Sequence, residues 1–123
     1  MNGILKNFFF LGVITSPNHP DGDYPNNLNK TQTIQVKEGM AIILDFSEFD
    51  IQFHGESSCD WDNLTITDGD GTTLLKESCG IKKPPRITSS TNTVHILFQT
   101  DETITRTGWR ISWTAMTPGK TQK

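Results

Sequence analysis

No apolar run in the 123 residues approaches the ~20 that a membrane-spanning helix needs. Positive charge is also short: Lys plus Arg total 11 against 14 Asp plus Glu, a net charge of -3. A mildly acidic chain lacks the electrostatic footprint for nucleic acid or an anionic membrane surface. Charged residues make up 20% of the chain, too few for a disordered polyelectrolyte, and hydrophobic residues 33%, too few for a membrane protein. Two cysteines, Cys59 and Cys79, do not make a disulfide framework and do not form a CxxC pair. They are either two separate thiols or one bridge. GxSxG elbows, Walker loops and HExxH helices are missing, which removes the commonest hydrolase and nucleotide-binding signatures. There is no internal repeat, no low-complexity segment and no apolar stripe at 3.6-residue spacing.

What is there points to β structure in one domain. Thr occurs 17 times and favours half-buried strands. Residues 16–27 are dense in Pro, Asn, Asp and Gly and read as irregular loop. Thr31 to Val36 alternates, with Thr33 and Gln35 on one face and Ile34 and Val36 on the other. Met40 to Phe49 is β-rich, with Ile42, Leu44, Phe46 and Phe49 available to a core. Leu64 and Ile66 run into Asp68-Gly69-Asp70-Gly71, a tight hairpin turn. Leu74 and Leu75 then form a short strand. Val94 to Phe98 and Trp109 to Trp113 complete the series. Seven or more short strands separated by turn signals predict an all-β, antiparallel two-sheet β-sandwich or a barrel. The inward set is Ile34, Val36, Leu44, Phe46, Leu64, Ile66, Val94, Ile96, Phe98 and Ile111.

The first residues, MNGILKNFFFL, contain no clear signal peptide. Three successive Phe residues do not alternate, so this stretch reads as the fragmentary start of a longer precursor rather than a first strand. Two sequons, Asn29-Lys30-Thr31 and Asn63-Leu64-Thr65, lean towards secretion. Both Asn29 and Asn63 are expected to be glycosylated in a secretory host, and Asn63 is expected to face outward, because Leu64 beside it points inward.

Few groups carry chemistry. His19, His54 and His95 have no metal-ligand spacing and read as surface or structural. Asp68 to Gly71 is not an EF-hand, since Cys79 stands at loop position twelve and no helix flanks it. Asp62 opens a strand and Asp101 closes one, so a sandwich brings both to one end. Spacing alone favours scattered surface acids over a cation-compensated pair.

In this order, several short segments resemble a CUB domain from Gly12 to Ala115. They are Gly12-Val13-Ile14-Thr15-Ser16-Pro17-Asn18-His19-Pro20, Tyr24-Pro25-Asn26-Asn27 and Phe46-Ser47-Glu48-Phe49-Asp50. Cys59-Asp60-Trp61-Asp62, Leu64-Thr65-Ile66-Thr67-Asp68-Gly69, Cys79-Gly80, Phe98-Gln99-Thr100-Asp101 and Gly108-Trp109 follow. The resemblance implies a compact, jelly-roll-like sandwich that is extracellular and binds rather than catalyses. It divides the chain into an N-terminal segment 1–11, a domain 12–116 and a polar tail 117–123. It implies a bridge between Cys59 and Cys79, the second of the two usual in the family. The first is missing as a unit, with Lys30 where its later cysteine belongs.

The family's calcium ligands carry over to Asp62 and Asp101, and Thr103 matches a residue contributing a main-chain oxygen. Gln52 stands where the family has a Glu, so the resemblance implies a weaker calcium site. Glu56 is a candidate for the missing carboxylate, and solvation or pairing with Arg106 is the alternative fate of the aspartates. In the family, calcium holds the carboxylates so that they grip a lysine of a protein partner. Asp62, Asp101 and Trp61 are thus the expected partner-binding residues. A glycan-binding module, with Trp61 stacking on a sugar, and a detached segment of a larger secreted protease are the competing readings. A hydrolase using Asp62 and Asp101 as paired carboxylates is the third.

Overall fold

The computed structural model describes residues 11–53 and 58–117. Its eight strands are β1 (Leu11–Thr15), β2 (Asn29–Gln35), β3 (Ala41–Asp50), β4 (Asn63–Asp68), β5 (Thr73–Ser78), β6 (Ile87–Thr88), β7 (Thr93–Gln99) and β8 (Gly108–Met116). They form two four-stranded antiparallel sheets, ordered β1-β8-β3-β6 and β2-β7-β4-β5. No helix of the described residues is long and apolar enough to cross a membrane.

Period-two alternation fills the space between the sheets. Leu64 faces Phe98, Ile66 faces Ile96 and Ile34 faces Val94 across one sheet. Phe46 faces Ile111 across the other. All ten residues expected inward are buried. At ~25 cal/mol per Å² of apolar surface removed from water, this shared core is the main stabilising term. One departure from alternation positions the functional end of the molecule. The β3–β8 register slips between Phe46 and Glu48, and the extra residue reverses the inward parity of the strand. Phe46 and Phe49 are therefore both buried although three residues apart. Their rings meet edge to face with centroids 5.5 Å apart.

The Asp68-Gly69-Asp70-Gly71 segment is the hairpin turn that its residues imply, closed by Asp68 N–H donating to Thr72 O at 2.7 Å. Gly71 supplies a φ of 94° there, which a residue with a Cβ adopts only at a cost. Asp68 does more than turn the chain. It is buried, and its carboxylate accepts hydrogen bonds from the Ser90 and Thr91 backbone and hydroxyl groups, tying the β4–β5 turn to the segment before β7.

Cys59 and Cys79 are bridged. With 20 residues of sequence separation, the closed loop stabilises the fold by about 3 kcal/mol in the chain-entropy account.

Candidate functional site

The loops that follow β1, β3 and β7 meet at one end of the sandwich. Tyr24 is the residue that joins them. Its ring packs edge to face on Phe98, with centroids 4.8 Å apart, and Phe98 packs likewise on Trp109 at 5.8 Å. This aromatic stack buries Tyr24 almost completely and leaves its hydroxyl as the polar handle. The hydroxyl donates to Asp62 Oδ2 at 2.7 Å and accepts from the Gln52 backbone N–H at 3.0 Å. Burial raises the phenol pKa well above its ordinary value, so the group remains a donor.

Asp62 immediately precedes β4 and is fully buried. Its second oxygen, Oδ1, accepts from the Asp101 N–H at 2.9 Å. Burial pushes its carboxyl above the usual range, and the neighbouring Asp101 charge acts in the same direction; the hydrogen bonds from Tyr24 and Asp101 oppose them. Asp101 follows β7, is partly exposed, and accepts from the Thr103 N–H at 3.2 Å. Its own carbonyl takes the Asn27 N–H at 2.7 Å. Thr100 fastens the same turn, accepting from Leu28 N–H at 2.8 Å and donating to Pro25 O at 2.9 Å.

The sequence-derived set thus converges: Gln52, Asp62, Asp101 and Thr103 share one loop cluster. Gln52, Trp61, Asp101, Glu102, Thr103 and Ile104 line a shallow depression of about 320 Å³. Gln52 is 5% exposed, and its Oε1 has no hydrogen-bond partner among the described residues. A buried carbonyl oxygen left in this way is costly unless a cation or donor meets it. The donor set is entirely oxygen, the chemistry that suits a hard divalent cation. Among the described residues no group of three or more His, Cys, Asp and Glu side chains forms a metal-binding cluster.

One expectation changes and a second is refined. Arg106 is engaged elsewhere: its Nε contacts Asp50 Oδ1 at 2.7 Å, with Thr107 on the other oxygen. It does not compensate Asp62 or Asp101. Asn63 faces outward as expected but is covered, at 8% exposed, and its Nδ2 donates to Cys59 O at 3.1 Å. Its position opposite Gln99 places it on the outer face of the sheet, and the Cys59 loop folds over it. Trp61 is partly exposed, at 38%. Glu56 and His54 lie outside the described residues.

A second, apolar groove lies beside the disulfide. It holds about 640 Å³ and is lined by Phe49, Phe53, Cys79, Ile81 and Lys82 among others. It contains none of the acidic ligands.

The CUB domain family profile matches residues 10–113. Human cubilin is 41% identical over 107 residues, covering 85% of this chain and 3% of that protein. Mouse mannan-binding lectin serine protease 1 is 37% identical over 105 residues, covering 85% of this chain and 14% of that protein. The chain therefore spans a small part of the curated relatives it matches. Among solved structures, the MASP-1 CUB2 domain bound to Ca2+ superposes with a TM-score of 0.76 at 35% identity, covering 84% of this chain and 90% of that one.

Proposed function

This chain belongs to the CUB domain family, and we propose that it is an extracellular binding module whose acidic loop face, organised by calcium, recognises a lysine of a protein partner. The observation that carries the reading is the buried Gln52 Oε1, which has no hydrogen-bond partner among the described residues, on a residue that lines one depression with Asp101. Asp62, Asp101 and Gln52 would hold the ion, with the main chain near Thr103. Calcium would supply positive charge that lets two adjacent carboxylates remain ionised at one site. The Ca2+-bound structural neighbour supports the same assignment.

The chain's own residues do the positioning. Tyr24 and the Asp101 N–H each occupy one lone pair of Asp62, fixing its plane. Asp101, less buried, keeps an oxygen towards solvent for a partner's ammonium group. A charge-assisted hydrogen bond of that kind is stronger than a neutral one. A hydrolase reading fits poorly, because the fully buried Asp62 already uses both oxygens within the protein.

The test is an amide-resolved NMR titration, first with calcium chloride, then with N-acetyl-lysine amide at saturating calcium. Both probes are expected to move the signals of residues 24–28, 52, 61–63 and 101–104. The lysine response is expected to vanish with chelator. Shifts confined to another face would overturn the proposal.

A further inference from the structure

We propose that the chain is N-glycosylated at Asn29 and excluded from glycosylation at Asn63. This rests on the extracellular reading above. The two sequons are not equivalent in the fold. Register places Asn29 and Asn63 on either side of Gln99 in one row of the second sheet. They stand two strand spacings apart, about 10 Å.

Asn29 opens β2, the edge strand of that sheet, and is exposed together with Thr31. An edge position leaves lateral room for a bulky substituent without breaking a ladder. Asn63 lies in β4, between β7 and β5. Its Nδ2, the atom that would carry the sugar, donates to Cys59 O, and its Oδ1 is buried. The buried nitrogen, held against Cys59 O, leaves no room for a sugar unless the disulfide-bearing loop lifts off the sheet.

The transfer is a substitution. Asn29 Nδ2 attacks the anomeric carbon of an oligosaccharide linked to a polyisoprenyl pyrophosphate. The C–N bond forms, the C–O bond to the pyrophosphate breaks, the lipid pyrophosphate leaves with that electron pair, and the proton lost by the amide nitrogen passes to the departing pyrophosphate. The product is a neutral, hydrophilic stem two residues from Asn27, whose N–H binds Asp101 O. The attachment point therefore lies beside the acidic loops.

The experiment expresses the full chain behind a cleavable signal peptide in an animal cell line. Medium and cell pellet are both analysed by intact mass before and after enzymatic deglycosylation in heavy-oxygen water. The native sequence and Asn63→Gln are expected to carry one glycan, with the isotope label at Asn29. Asn29→Gln and Thr31→Ala are each expected to carry none. Disulfide-bonded native material with no glycan, or with one at Asn63, would overturn the inference. The fused signal peptide forces entry to the lumen, so site choice is read independently of the chain's own destination. Failure of the lysine-binding reading would appear in the NMR titration and leave these masses unchanged.

Discussion

Tyr24 and Asp62 are 38 residues apart, yet the phenol donates to the carboxylate at 2.7 Å and both side chains are almost wholly buried. The contact joins the loop after β1 to the start of β4. Through the Gln52 N–H on the same hydroxyl, it also captures the end of β3. One hydroxyl thus sets the spacing of three segments that carry the acidic site.

Replacing Tyr24 with Phe keeps the aromatic stack and removes only the hydroxyl. It leaves a buried N–H at Gln52 and a buried carboxylate oxygen without partners. A loss of about 1–3 kcal/mol is expected, measured by urea unfolding. The same variant is expected to weaken calcium binding, since Asp62 loses the donor that fixes its plane. Unchanged stability would mean that water replaces the hydroxyl at no cost.

Calcium is expected to raise the melting temperature only at millimolar concentration, because Gln52 contributes a neutral oxygen where a carboxylate would add charge. A hundredfold excess over the dissociation constant corresponds to about 2.7 kcal/mol of stabilisation. Gln52→Glu is expected to respond at lower calcium and Asp101→Ala not at all. A Gln52→Glu protein with no gain in response would show that these residues do not surround one ion.

Much of the fold was legible because alternation is a direct consequence of strand geometry. Leu64, Ile66, Val94, Ile96 and Phe98 fall inward as their spacing requires. Phe49 was recognisable as a core residue, but the bulge that turns it inward was not, since an inserted residue leaves no compositional mark. Asn63 shows a different limit. Alternation gives the face a side chain points from, not whether a loop later covers that face. The convergence of Asp62 and Asp101 was legible from the family resemblance, whereas spacing alone favoured scattered surface acids. The role of Tyr24 was not, because a tyrosine in a turn-rich loop acquires its partners only when both sheets close. Asp68 read as a turn former for the same reason: Ser90 and Thr91 reach it from 22 and 23 residues away.

Asp68 gives the pH dependence. Burial alone would raise its pKa, but hydrogen bonds from Thr91, Ser90 and Gly69 outweigh it and hold the carboxyl at about 2, below the ordinary aspartate value of 3.8. A folded-state pKa below the unfolded one stabilises the protein above the unfolded value, and the benefit is lost as pH falls through the folded one. The contribution, on the order of 2 kcal/mol, is therefore present at neutral pH and disappears between about pH 4 and pH 2. Asp68→Asn is expected to be less stable than the native protein at pH 6 and to converge with it near pH 2. Urea midpoints across that range measure the difference. Parallel curves with a constant offset would show that the carboxylate's charge is not the cause.

Gly108 and Ser16 test how the strand that carries Trp109 is seated. Gly108 has φ of 98°, and a Cβ added there would collide with Ser16 Oγ. That oxygen accepts the Trp109 N–H at 3.0 Å, while Ser16 N–H donates to Trp109 O at 3.0 Å. The glycine is thus needed twice, for its backbone conformation and for the space the hydroxyl occupies. Ser16→Ala leaves a buried N–H unpaired and is expected to cost about 1–3 kcal/mol. Gly108→Ala carries about 1–2 kcal/mol of left-handed strain and the steric clash besides. The double variant removes the colliding oxygen but keeps the strain. Its loss is expected to fall short of the sum of the single losses by 0.5 kcal/mol or more, on the order of contacting pairs. Urea unfolding of the four proteins closes the cycle. Strict additivity would show that Gly108 is required for its φ alone and that the Ser16 hydroxyl moves aside freely.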